Sequence, residues 1–358
     1  MIMSENKNIG GEALVFSCGL LDTGNGKTAH GLIRGSDRFV TKAVVDKKFA
    51  GHDAGEVMDG KKRNIPVFAS VDEALAEFPS IKNAIVGLAP IGGKLPPDLI
   101  EDLLLSAQKG LNIISGLHEY VSDHKEIADA AAVSGTTIID IRKPKHKSEL
   151  HFWTGKIFEV TSPIIAVIGM DCAIGKRSTT RFLLEACKKQ GIKAEMIFTG
   201  QTGWMQSGRY GFVFDSTYND FVSGELEHAI HSCWKNENPD IIFVEGQSGL
   251  RNPSGPCGSE MLVSGNAKKV ILLAAPKRIY YEDDESWGPM PTIQSEIDLI
   301  KMYGSDVVGV ALNTAGCTLE EAKTFKDKIT KEIGLPVCLP LEEGVGEVME
   351  AVKGLLKK

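Results

Sequence analysis

The chain has 358 residues, 42% of them apolar and 24% charged, which is an ordinary globular balance with ample chain for a buried core and for two domains. A net charge of −7 excludes the basic footprint of sequence-independent nucleic-acid binding, so no nucleic-acid partner is expected. No apolar run reaches the ~18 residues of a membrane span; residues 1–11 lack the apolar stretch of a secretion signal, and seven cysteines without a Cys-x-x-Cys pair suggest free thiols in a reducing, cytoplasmic compartment with no membrane partner.

Strand and helix signals alternate through the first half. Apolar runs at 13–17 and 41–45 read as strands, and Ser70 with Glu73 three residues on reads as a capping box opening a helix. A strand is predicted at 84–88. After Gly92-Gly93 and Pro96-Pro97, the spacing of Leu99, Ile100, Leu103, Leu104 and Ala107 predicts a helix closed by Gly110. Strands at 112–114 and 137–141 flank a helix near 122–133. The alternation implies a doubly wound parallel sheet. Residues 144–155 break the rhythm and read as a connection, which gives domains at 1–150 and 151–358. In the second domain strands are predicted at 164–168, 194–198, 241–244, 270–274, 307–312 and 336–339. Two connections, 200–218 and 275–291, have the length of functional or mobile loops.

The second domain opens with an apolar strand running into Gly169-Met170-Asp171-Cys172-Ala173-Ile174-Gly175-Lys176-Arg177-Ser178-Thr179. Loop amides, a helix N-terminus and a lysine together make an anion site. Five residues separate Gly169 from Gly175, and Arg177 stands where the common P-loop has its Ser or Thr, so this is a variant phosphate loop. Gly169, Gly175, Lys176, Arg177, Ser178 and Thr179 are the candidate phosphate contacts. Asp171 is a negative charge inside that loop, unwelcome there unless it meets a cation or a substrate ammonium. Cys172 reads as a small loop filler or, beside Lys176, as a reactive thiolate.

Strand ends supply the other candidates, because ligands of such sheets gather there. Thr199, Gln201, Thr202 and Gly203 form a polar, glycine-spaced turn suited to substrate. Glu245 ends a strand beside the phosphate loop, where it reads as a Mg²⁺ ligand with Ser178, a general base, or a solvated carboxylate. Gln247 follows it. Asn313 reads as a purine contact or a turn cap, and Arg209 and Arg251 as holders of substrate carboxylates. His228 and His231 lack an evident third ligand, so zinc is not expected. In the first domain, Asp22-Thr23-Gly24-Asn25-Gly26-Lys27-Thr28 is a weak second phosphate loop, and Asp46 ends a strand where a ribose-binding acid would stand. Lys27, Thr28 and His118 are candidate substrate contacts, with His30 beside them.

The loop from Gly169 to Lys176, the Val244-Glu245-Gly246 tripeptide and Asn313 resemble dethiobiotin synthetase and, more widely, the MinD-like P-loop ATPases. Across nearly the whole chain, Lys27-Thr28-Ala29-His30-Gly31-Leu32, Ala50-Gly51-His52-Asp53-Ala54-Gly55-Glu56, Ser115-Gly116-Leu117-His118, Gly200-Gln201-Thr202-Gly203 and Val244-Glu245-Gly246-Gln247 resemble a family long catalogued as a domain of unknown function. That resemblance implies an α/β protein with a Rossmann-like parallel-sheet N-terminal domain and a P-loop NTPase-like C-terminal domain. Some members are D-glutamate N-acetyltransferases, which implies acetyl-CoA as donor and D-glutamate as acceptor. In that case Arg177 adds a guanidinium for phosphate, and Glu245, Asp171 and Lys176 are the catalytic candidates. The alternatives are an ATP- and Mg²⁺-dependent ligase or kinase of the dethiobiotin synthetase type, and a CoA- or nucleotide-sensing regulator. A homo-oligomer is also expected.

Overall fold

In the first half of the chain, short apolar strands are each followed by a helix that covers one face of a sheet. The computed structural model describes residues 9–206 and 209–356. It divides into two units: the first runs through Glu149 and takes in Gln201–Arg209, and the second comprises Leu150–Gly200 and the chain from Tyr210 onward.

The first unit contains β1 (Gly11–Phe16), α1 (Lys27–Arg34), β2 (Phe39–Val45), α2 (Ala54–Asp59), β3 (Val67–Phe68), α3 (Val71–Glu77), β4 (Asn83–Val86), α4 (Pro97–Gln108), β5 (Asn112–Ser115), α5 (Lys125–Ser134) and β6 (Ile138–Asp140). The strands lie in the order β3-β2-β1-β4-β5-β6, with every described pair parallel. The order reverses between β1 and β4, as in a dinucleotide-binding sheet. Leu14, Phe16, Leu99, Leu103 and Ile113 fill one layer of the core. Ser70 caps α3 by accepting from the Glu73 amide at 3.3 Å. The Glu73 carboxylate returns to the Ala69 amide at 3.1 Å, one residue short of a closed capping box.

The second unit contains β7 (Ile164–Gly169), α6 (Lys176–Lys189) and β8 (Ala194–Phe198), then, after the excursion α7 (Gln201–Gln206), β9 (Tyr210–Gly211), α8 (Asn219–Glu237), β10 (Ile241–Glu245), α9 (Ser259–Val263), β11 (Lys269–Ala274), α10 (Ile293–Met302), β12 (Asp306–Leu312), α11 (Leu319–Ile333), β13 (Val337–Cys338) and α12 (Gly346–Lys353). Its sheet has the order β13-β12-β11-β7-β10-β8-β9 and is again parallel in every described pair. β7 lies between β11 and β10, and each of its residues is buried, as a strand covered on both faces requires. Among the described residues, no helix is long and apolar enough to cross a membrane.

The segment 201–206 is where the fold departs most from expectation. The sequence reads as a polar turn at the end of β8; the chain instead forms α7, all of whose residues are buried, and folds with the first unit. Gln206 Nε2 donates to the carbonyls of Gly31 at 2.7 Å and Gly35 at 2.9 Å at the end of α1, where Gly31 also accepts from the Gly35 amide at 3.2 Å. Ser36 Oγ donates to the Met205 carbonyl at 2.9 Å. The Trp204 ring takes the Arg38 guanidinium on its face at 4.0 Å and lies beside Phe39. Burial of Trp204 and Met205 outweighs the turn character of Gly200 and Gly203.

Candidate functional site: the phosphate loop of the second unit

β7 delivers the chain to a loop whose conformation only a few residue types accept. Ala173 and Gly175 sit at φ of +53° and +97°, in the left-handed region, and Gly175 precedes the first residue of α6. Lys176 is 7% exposed and folds back over the loop, its Nζ donating to the carbonyls of Asp171 at 2.5 Å and Ser248 at 2.7 Å. An ammonium has three N–H groups, so this arrangement retains one for a ligand. Burial pushes Lys176 down to about 8, against the neighbouring Cys172, Asp171, Cys257 and Glu245, which favour its charged form. Gly246 lets β10 close on this lysine: a Cβ there would meet the Val167 carbonyl at 2.5 Å and Lys176 Cδ at 3.1 Å.

Asp171 is fully buried, and its carboxylate is engaged on both oxygens. Oδ1 accepts from the Cys172 amide at 2.8 Å and Asn252 Nδ2 at 2.6 Å. Oδ2 accepts from Arg278 Nη1 at 2.7 Å and the Glu282 amide at 2.8 Å. The cation that a negative charge in this loop calls for is therefore Arg278, 107 residues away in the 275–291 connection. With this many donors on it, Asp171 fastens the loop. The Cys172 thiol, 3.4 Å from Ser248 Oγ, is pushed up by burial and by Glu282, which is the opposite of what a reactive thiolate needs.

Glu245 closes β10 in register with Val167 of β7, buried beside the loop. Burial pushes its carboxyl up; the Arg177 guanidinium, the Thr199 amide at 3.1 Å on Oε2, and Lys176 pull the other way. Thr199 Oγ1 donates to the Glu245 carbonyl at 2.7 Å and accepts from Gln247 Nε2 at 3.0 Å. Thus Thr199, Glu245 and Gln247 form one hydrogen-bonded group at the ends of β8 and β10. Arg177 and Ser178 are half-buried on the first turn of α6, and Thr179 is buried there. Asn313 follows β12 and caps its own turn, accepting from the Ala315 amide at 3.0 Å. Its Nδ2 also stands 3.9 Å from the position of a Cβ on Gly175, at the loop's edge.

Other sequence candidates lie elsewhere. Arg251 is paired with the buried Glu296, Nε to Oε2 at 2.7 Å, and with Ser295 at 2.9 Å, so its guanidinium holds α10. Gln201, Thr202 and Gly203 lie on α7 in the first unit, where Thr202 Oγ1 meets Thr28 Oγ1 at 3.1 Å. Gln201 packs so closely on Gly116 that a Cβ there would meet its Cγ at 2.5 Å. Lys27, His118 and Arg209 are exposed in that unit. Asp46 is buried and taken by Ser17 Oγ at 2.6 Å and the amides of Gly19 and Lys48, so no carboxylate oxygen faces a ribose without displacing an internal donor. His228 stacks on His151 at 3.6 Å, and His231 meets Glu159. Arg278 and Asn252 were not among the sequence candidates; the length of the 275–291 connection was the one available signal.

The comparisons extend this picture to the whole chain. Residues 151–349 match a P-loop domain and residues 47–144 a Rossmann-like domain, both described as parts of the domain of unknown function DUF1611. A crystal structure of a DUF1611 family protein from Anabaena variabilis is similar with a TM-score of 0.87 at 26% identity, over 96% of this chain and 99% of that one. Two curated proteins named D-glutamate N-acetyltransferase are also similar. One, from a Pseudoalteromonas species, is 28% identical over 75% of this chain and 80% of its own length. The other, from Tritonibacter scottomollicae, is 25% identical over 77% and 83%. With both halves of the chain matched and the fold shared end to end, the protein belongs to the DUF1611 family.

Proposed function

We propose that this protein transfers an acetyl group from acetyl-CoA to the amino group of D-glutamate. The observation that carries the reading is the similarity, across three quarters of the chain, to two curated D-glutamate N-acetyltransferases. The phosphate loop supports it, because Lys176, the first-turn amides of α6 and the guanidinium of Arg177 suit the phosphates of a CoA donor. In the reaction the amine nitrogen attacks the thioester carbonyl carbon, the C–N bond forms, the C–S bond breaks, and the CoA thiolate leaves. The attacking ammonium must first lose a proton. Glu245 is the carboxylate we assign as base, since burial raises its affinity for a proton, whereas Asp171 is saturated with donors. The nitrogen loses its second proton to water as the amide forms, and the thiolate takes the first from Glu245, which restores the starting state.

The test is to incubate the protein with acetyl-CoA and D- or L-glutamate and follow free thiol, and in parallel with ATP and Mg²⁺ and follow phosphate. Thiol release that requires D-glutamate and weakens about 10- to 100-fold in Lys176→Ala, the range for losing a charge-assisted hydrogen bond to phosphate, supports the reading. Phosphate release without thiol release overturns it in favour of an ATP-dependent enzyme.

A further inference from the structure

The second unit opens with a segment that the sequence presents as a connection and that the fold clamps in place. Two buried glutamates of α8, Glu225 and Glu227, do the clamping. Glu225 Oε1 accepts from the His151 amide at 3.0 Å and meets His151 Nδ1 at 2.7 Å. Glu227 accepts from the Thr154 amide at 2.6 Å, the Thr154 hydroxyl at 2.8 Å and the Ile157 amide at 3.1 Å. Gly224 lets the segment lie directly on the helix, since a Cβ there would collide with the His151 carbonyl. Ile157 is fully buried in the core below. With its backbone tied down this firmly, the segment still turns three large rings outward: Phe152 is 64% exposed, Trp153 42% and Phe158 67%. The rings are continuous with one another and with the helices beside them. Phe152 packs on Phe221 at 4.5 Å, and Trp153 meets Phe158 edge-on at 5.9 Å. Trp153 Nε1 donates to the Ser264 carbonyl at 3.1 Å, next to Val263, itself 57% exposed.

We propose that this patch is the surface on which a second copy of the chain docks, related by a two-fold axis. Rings of this kind bury roughly 150–250 Å² each, so the three rings and Val263 together expose on the order of 400 Å² of apolar surface. A standard interface buries about 800 Å² on each partner, rather more than half of it apolar. The patch therefore supplies most of the apolar part of one such footprint. Its border carries both signs of charge, because Lys156 and Glu159 are exposed on the same turn, Lys156–Glu159. A two-fold axis lays a patch against itself. Rings then meet rings, and each Lys156 can pair with Glu159 of the partner subunit. The buried glutamates fix the segment beforehand, so the rings lose little freedom on association, as interface anchors require. A lipid surface fits less well, since the chain carries a net charge of −7 and Glu159 stands in the border of the patch.

The experiment is sedimentation velocity on the full chain over a concentration series, with Phe152→Asp and Phe158→Asp beside the unaltered protein. Both side chains face water, so the variants should fold; Phe158→Ser serves if the aspartate variant melts early. The unaltered protein is expected to sediment at no less than twice the mass of one chain. Each variant should fall to half the mass of that assembly, or show a dissociation constant raised at least about thirtyfold, as for a central aromatic anchor. Lys156→Glu should weaken the assembly as well, and Glu159→Lys placed in the same chain should restore it. A protein that is monomeric at every concentration overturns the proposal, and so does a folded aspartate variant that keeps the full mass. If the monomer instead pellets with phosphatidylcholine–phosphatidylserine vesicles and Phe158→Asp abolishes this, the patch faces a membrane and the proposal falls.

Discussion

Lys176 and Glu245 share a buried corner and are perturbed by the same cause, loss of water, with opposite consequences for pH. Burial lowers the lysine to about 8. Its ammonium is intact below that value and is lost as pH rises through it, so the grip on an anion weakens on the alkaline side. On the acetyl-transfer reading proposed above, the expected outcome is that KM for acetyl-CoA climbs above pH of about 8, by up to about tenfold per unit, while an uncharged competitor for the acceptor site shows no such trend. For Glu245 burial raises the carboxyl. The folded state disfavours its charge, so the stability associated with the protonated form is present below the ordinary value and lost as pH rises through the raised one. Glu245→Gln should therefore melt a few degrees higher at neutral pH, at roughly 2–4 °C per kcal/mol for a unit of this size, while kcat falls about 10²- to 10⁴-fold. A variant that loses both stability and activity would argue for a purely structural carboxylate. The positions of both were legible in the sequence, because a strand end and a lysine that follows a glycine loop are placed by a parallel sheet; the part Glu245 plays was left open there. The role of Asp171 was half legible. Its charge announced a missing cation, but Arg278 sits in a connection with no periodicity, and nothing local ties the two.

At the scale of elements, the Asp171–Arg278 pair makes the phosphate loop and the 275–291 connection one object. Asp171 is fully buried and Arg278 is 16% exposed. Removing one partner of such a pair strands the other in a dry environment, at a typical cost of about 3–5 kcal/mol. Arg278→Ala and Asp171→Asn should each destabilise strongly. The double variant should cost less than their sum, with a coupling of at least about 1 kcal/mol in a denaturant cycle. Additive losses would mean that the contact contributes little beyond its parts. α7 shows the opposite limit of sequence reading. Six residues rich in Gln, Thr and Gly carry turn signals, and only the apolar pair Trp204-Met205 hints at burial. What makes the segment helical is the surface of α1 that it meets, where the Gly31 and Gly35 carbonyls accept from the Gln206 amide. The regular strands and helices, by contrast, follow their hydrophobic periods, because a sheet covered on both faces imposes continuous apolar runs.

At the scale of the molecule, the two parallel sheets were legible from strand–helix alternation; the return of Gln201–Arg209 to the first unit was not. The first unit is consequently incomplete at residue 149. A chain ending there should bind hydrophobic dye and melt broadly, because Phe39 and the exposed flank of α1 lose their cover. Joining residues 199–211 through a flexible Gly/Ser linker should restore a cooperative transition, and equal melting of the two chains would show α7 to be dispensable. The same routing bears on synthesis. A ribosome adds roughly 5–20 residues per second and N-terminal domains ordinarily fold as they emerge. Here the sheet of the first unit is fully translated well before the helix that seals it. Its completion must wait until β7, the phosphate loop, α6 and β8 have also left the ribosome, so the nascent chain carries two unfinished units at once, and the window for premature association or chaperone capture is built into the order of the sequence.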